Sequence, residues 1–247
     1  MTSEKPVIVI VPGAWHDPSC FDAVSRRLRA EGYEVAGVNL ASNNSASKPL
    51  PNFEADVDII RATVKAAITK GKDVMLVMHS YGSIPSGDAI KGFTKQDTRG
   101  AGVVHLFYCT AFVLPENVSV HDVLPGGKPF DWFLISDDEM VVNPAVPTER
   151  FYHDLDSKAA EVAARDIRPF SNRCFASKST YAAWKHVPST YLFCEKDRAV
   201  PIEVQKYMVQ TSGVEWKTET LNSSHTPFLS MPEETAKAIR RAAGEKV

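Results

Sequence analysis

The sequence predicts an α/β protein with a mainly parallel six-stranded sheet flanked by helices and broken by a helical cap insertion. Three observations predict it. Short apolar runs rich in β-branched residues recur along the chain. Amphipathic segments of helical spacing separate them. A long stretch, Leu114 to Pro188, interrupts that alternation and carries no strong strand signal.

The first strand is Val7-Ile8-Val9-Ile10-Val11, closed by Pro12-Gly13. A continuous apolar run of this kind suits a strand covered on both faces. Phe21, Val24 and Leu28 follow at helical spacing, with Gly32 just beyond. Gly is the residue that most readily ends a helix in a left-handed turn. Glu34–Asn39 reads as the second strand, and Ala41–Asn52, rich in Ser, Asn and Pro, reads as a loop. Val57, Ile60, Val64, Ala67 and Ile68 form the next helical stripe, ended at Gly71. Asp73–Met78 is the third strand, and a helix that must accommodate Pro85 starts near Ser80. Val103–Tyr108, Ser189–Cys194 and Glu215–Leu221 supply the remaining strands, and Pro232–Ala243 is an amphipathic closing helix. Residues 1–113 and 189–247 are thus expected to build the core. Residues 114–188 are expected to form a cap, with helical stretches at Thr148–Leu155 and Ser157–Asp166. Such a cap sits over the carboxyl ends of the strands, where open α/β sheets bind ligands.

The 247 residues carry 28 Lys+Arg against 30 Asp+Glu, a net charge of −2, with 44% hydrophobic residues. This composition excludes collagenous, coiled-coil and disordered chains. It supplies no electrostatic footprint for nucleic acid or an anionic membrane. No apolar stretch approaches the ~20 residues needed to cross a bilayer, and the apolar start is too short for a signal peptide. The four cysteines, Cys20, Cys109, Cys174 and Cys194, form no C-x-x-C pair and no Cys/His cluster of zinc spacing. They read as small buried hydrophobes in a reducing compartment, which makes the cytoplasm the expected location. The sequons at Asn43, Asn117 and Asn222 carry little meaning there. Gly126-Gly127-Lys128 lacks the spacing of a phosphate loop and reads as a turn in the cap. No metal site is expected, and the expected partner is a small-molecule substrate. The oligomeric state stays open, a dimer included.

The chemistry concentrates after three strand ends. In Met78-His79-Ser80-Tyr81-Gly82 a serine stands between a buried strand and a helix. The nucleophile elbow G-x-S-x-G lifts a serine hydroxyl to the top of a sheet and needs small neighbours, so that the backbone can turn sharply. Here Gly82 is kept and Met78 stands at the first glycine position. Asp197 follows the fifth strand and His225 the sixth, which is the order Ser, acid, His of that architecture. Each residue alone has a plain reading: a helix N-cap, a loop acid beside Lys196 and Arg198, a core imidazole. Their recurrence at three successive strand ends points to catalysis. The turn Pro12-Gly13-Ala14-Trp15 after the first strand supplies the fourth element. Acyl transfer needs N–H donors aimed at the developing oxyanion. Tyr81 is one candidate donor and Ala14 the other, with Trp15 as the second choice for that loop. Trp15, Trp132, Phe133, Tyr152 and Trp184 are candidates for the wall of an apolar pocket, with cap-to-core packing as their plainer role.

On these residues the chain resembles the α/β-hydrolases, and more closely the small cap-bearing branch of plant methyl-salicylate-type esterases and hydroxynitrile lyases. The likeness spans nearly the whole chain. His79-Ser80-Tyr81-Gly82 matches the elbow, Asp197 the acid and His225 the base. Pro12 stands where the branch has a His, and Met78 and Ser83 stand where it has glycines. The resemblance implies a cofactor-independent serine hydrolase acting on an ester, thioester or lactone of a small, largely apolar molecule. Two other functions stay open: carbon–carbon bond cleavage by the same triad, and ligand reception on a hydrolase scaffold. Hydroxynitrile lyases carry a Lys beside the catalytic His and a Thr in the oxyanion loop. Thr226 and Gly13 here favour hydrolysis.

Overall fold

A computed structural model describes residues 5–43, 46–124 and 128–247. Gly126 and Gly127 of the expected cap turn, and Asn44 and Ser45 of the first sequon, lie outside the described residues. The strands are β1 (Val7–Val11), β2 (Val35–Gly37), β3 (Val74–His79), β4 (Val103–Cys109), β5 (Phe133–Ile135), β6 (Val141–Pro144), β7 (Phe170–Ser171), β8 (Ser189–Cys194) and β9 (Lys217–Leu221). The longer helices are α1 (Asp22–Ala30), α2 (Glu54–Thr69), α3 (Ser83–Ile90), α4 (Ser157–Arg165), α5 (Ile202–Thr211) and α6 (Pro232–Ala242).

Six strands form one sheet in the order β2-β1-β3-β4-β8-β9, every neighbouring pair parallel. All residues of β1, β3 and β8 are buried, which is why these runs do not alternate. Successive side chains of a strand point to opposite faces. Val7, Val9 and Val11 therefore join Ile60 and Val64 of α2 and Ile90 of α3. Ile8 and Ile10 join Val24 and Leu28 of α1 and Ile239 of α6. Helices thus cover both faces, and the carboxyl ends of β1, β3, β8 and β9 stay free to build a site. The edge strand β9 is shorter than the sequence run that predicts it and is half exposed, so it begins only where pairing with Thr190 is available.

The segment between β4 and β8 is mixed, not wholly helical. Besides α4 it contains a three-stranded antiparallel sheet, β5-β6-β7, in which Phe133 pairs with Pro144 and Val142 with Phe170. Strands of two to four residues bury too few side chains to leave a periodic signature. The expected helix over Thr148–Leu155 shrinks to one turn, Pro147–Arg150, whereas that over Ser157–Asp166 is present as α4, capped by the Asp156 side chain on the Ala159 N–H.

Candidate active site

Ser80 stands where β3 turns into a helical turn, with φ of 50°. A non-glycine residue held in the left-handed region costs about 1–3 kcal/mol and persists only where its surroundings fix it. Packing supplies the fixing. A Cβ on Gly82 would sit 2.4 Å from the Pro12 carbonyl oxygen and 2.8 Å from that of Val11. A Cβ on Gly13 would sit 2.9 Å from Ser80 Cβ. The two glycines let the β1 turn and the elbow touch. Met78, where a glycine was anticipated, is buried inside the core on the α2 and α3 side and does not meet that contact. The Ser83 hydroxyl, at the other anticipated glycine, bonds the carbonyls of Ser80 (3.0 Å) and Phe112 (2.8 Å).

His225 follows β9, and its Nδ1 lies 2.7 Å from Asp197 Oδ2. Since a carboxylate only accepts, Nδ1–H is the donor, and in the neutral ring Nε2 is the nitrogen left to accept a proton. Asp197 is buried and pinned on both oxygens. Its Oδ1 accepts from the Ala199 and Val200 N–H groups at 2.8 and 2.9 Å, and its Oδ2 also accepts from Gln205 Nε2 at 3.2 Å. Gln205, on the inner face of α5, is itself fully buried, and bonds Cys194 N–H and the Val200 carbonyl as well. His79 donates from Nε2 to the His225 carbonyl at 3.0 Å, and burial first, then the neighbouring His225 and His16, pushes its pKa well down, so it stays neutral.

Ser80, His225 and Ala14 line one cavity together with Trp15, Trp132 and Phe133. Phe112, Phe130, Phe151 and Phe175 complete its aromatic wall. It is narrow, with about 20 Å³ of free space. Tyr152 and Trp184 do not belong to it. Tyr152 is the neighbour of Phe151 and faces the other way, into an open pocket of about 500 Å³ with Leu155, Val162 and His16. There its hydroxyl donates to His16 Nε2 at 2.8 Å, because His16 Nδ1 already donates to the Ala14 carbonyl. Burial pushes the His16 pKa down to about 4. Trp184 lines a separate small pocket beside Tyr108 and Leu114.

The two candidate donors of the β1 turn are separated by their partners. The Trp15 N–H donates to Asn43 Oδ1 at 2.7 Å. The Ala14 N–H has no acceptor among the described residues. Tyr81 occupies the first turn of a helix, where N–H groups lack an intrahelical acceptor. Its phenol is directed away from the cavity, to Asp56 Oδ2 at 2.8 Å. No group of three or more His, Cys, Asp or Glu able to hold a metal occurs among the described residues. No described helix is long and apolar enough to cross a membrane.

Comparison with known proteins bears on the class to which this fold belongs. The model of the alpha/beta hydrolase family matches residues 8–238, so the chain belongs to that family. An alpha/beta hydrolase of Aspergillus novofumigatus, nvfD, is 33% identical over 247 residues, 98% of each chain. Polyneuridine aldehyde esterase of Rauvolfia serpentina is 22% identical over 231 residues, 86% of each chain. Among solved structures, a pyrethroid hydrolase from Sphingobium faniae superposes with a TM-score of 0.79 at 23% identity, covering 96% of this chain and 97% of that one. The protein is an enzyme of the hydrolase class.

Proposed function

We propose that the protein is a cofactor-independent serine hydrolase cleaving an ester, thioester or lactone of a small, largely apolar molecule. One observation carries this reading. Ser80 is held at positive φ in the wall of a cavity shared with His225, whose Nδ1 is bound by a buried, four-times hydrogen-bonded Asp197.

In this reading His225 Nε2 takes the Ser80 proton as Oγ attacks the carbonyl carbon. Asp197 keeps the imidazole in the Nδ1–H tautomer and stabilises its charged form. The Ala14 and Tyr81 N–H groups hold the oxyanion; one well-aimed donor contributes ~3 to 4 kcal/mol to the transition state. His225 returns the proton to the leaving oxygen or sulfur, then activates water to release the acyl group from Ser80. Seven aromatic residues around Ser80 and a near-neutral chain favour an uncharged substrate. The esterase names among relatives point to the ester within this set.

Ser80→Ala is expected to abolish turnover of a p-nitrophenyl ester panel and labelling by a fluorophosphonate, both present in wild type. Turnover of wild-type magnitude in Ser80→Ala refutes the assignment. Mass-spectrometric capture of an acyl group on Ser80 separates hydrolysis from carbon–carbon bond cleavage, which forms none.

A further inference from the structure

We infer that Asn43 is a positioning residue that aims the Ala14 N–H into the cavity, an inference resting on the serine-hydrolase reading above. Among the described residues, every side-chain bond of Asn43 goes to the turn of residues 13–16. Its Oδ1 accepts the Trp15 N–H at 2.7 Å, and its Nδ2 donates to the carbonyls of Gly13 at 3.2 Å and His16 at 2.9 Å. The donor to Gly13 acts with the His16 N–H, 3.4 Å from the same oxygen, to fix the Gly13–Ala14 peptide plane. In a trans peptide the carbonyl and the N–H point in opposite directions. Holding the Gly13 oxygen towards Asn43 therefore turns the Ala14 N–H the other way, and Ala14 lines the Ser80 cavity. The acceptor to Trp15 acts with it: it removes the competing N–H of the same turn and holds Trp15 at φ of 66°, a strained conformation for a bulky residue.

The same bolt joins the turn to the insertion. Asn43 makes an isolated antiparallel bridge to Phe170 of β7, and the Ser171 N–H donates to the Ser42 carbonyl. On the other side of the turn, Trp15 Nε1 donates to the Val142 carbonyl of β6, and the Arg168 N–H donates to the Trp15 carbonyl. The oxyanion donor is thus set from two directions by the small sheet of the insertion, with Asn43 as the only side chain among the described residues that bonds both the Gly13 carbonyl and the Trp15 N–H.

The test measures the second-order rate at which a fluorophosphonate labels Ser80, because the phosphoryl oxygen takes the oxyanion position and no natural substrate is needed. Asn43→Asp keeps the acceptor for Trp15 and loses both donors; Asn43→Ala loses all three bonds and adds no charge. Each folded variant, checked by its thermal unfolding, is expected to label at least tenfold more slowly, with full final labelling. A merely structural role lowers the final amplitude or Tm and leaves the rate per site unchanged. A rate within twofold of wild type in either folded variant overturns the assignment alone. Wild type that takes no label overturns the serine-hydrolase reading and this assignment with it.

Discussion

Replacing Gln205 with Leu probes how the acid of the site is held. Leu has nearly the volume of Gln and can occupy the same buried space, so the change removes hydrogen bonds more than packing. Of the three backbone groups that Gln205 bonds, the Cys194 carbonyl keeps the Asp197 N–H, and two lose their partner: the Cys194 N–H, 3.1 Å from Gln205 Oε1, and the Val200 carbonyl, 2.7 Å from Nε2. An orphaned buried polar group costs about 1–3 kcal/mol, so two give about 2–6 kcal/mol, and about 3 after the hydrophobic gain from Leu. For a chain of 150–250 residues, 1 kcal/mol shifts Tm by about 2–4 °C, so the expected fall is about 6–12 °C. Asp197 loses the 3.2 Å bond from Gln205 yet keeps those from Ala199, Val200 and His225. Accordingly kcat should fall about three- to tenfold at 20 °C with KM unchanged, since only the aim of the carboxylate loosens. Thermal unfolding followed by circular dichroism, with ester kinetics on the same samples, gives both numbers. A Tm within about 2 °C of wild type would show that relaxation or water replaces the lost partners, and would refute the reasoning.

Tyr81→Phe removes the phenol bonded to Asp56 and leaves the residue 81 N–H in place, so it should lower stability by ~1–3 kcal/mol in urea titrations while keeping kcat within threefold. A collapse of kcat would assign the side chain a role the geometry does not give it. Gly82→Ala forces a Cβ to 2.4 Å from the Pro12 carbonyl oxygen, backbone against backbone, and should yield protein that is insoluble or lacks phosphonate labelling. Native yield with full labelling would contradict the elbow packing. Burial lowers His16 and His105 to a pKa of about 4 each, so the unfolded chain binds more protons than the folded one between pH 6.5 and about 4. Stability is full above pH 6.5 and is lost on acidification, by about 2 kcal/mol for each histidine at pH 5. His105→Gln should flatten that fall in urea midpoints measured from pH 7 to 5, and an unchanged slope would refute the account.

Much of the fold was legible because buried parallel strands are written as short unbroken apolar runs, and because each candidate catalytic side chain lies just past one. Ser80, Asp197 and His225 follow β3, β8 and β9, so the topology alone brings them to one end of the sheet. The pocket was less legible. Phe151 and Tyr152 are equivalent in composition, yet adjacent residues point to opposite sides of one wall, and only tertiary packing decides which faces Ser80. The strands β5, β6 and β7 are too short to show a period. Gln205 left a faint signal, a polar residue in the stripe Ile202, Gln205, Met208, Val209, which marks a buried group in need of partners. Asn43 left none, because its partners lie about thirty residues away across a loop of similar polar residues.

The narrowness of the cavity around Ser80 has a kinetic consequence. About 20 Å³ has room for one water and none for an acyl group, so binding an ester there requires the aromatic side chains to shift apart. Apparent affinity is then the intrinsic affinity multiplied by the fraction of molecules in the open form, and association runs below the encounter rate by the same fraction. Substitutions that trim Phe130 or Phe133 should speed entry and exit together. They change how fast the enzyme meets its substrate without touching the residues that would transform it.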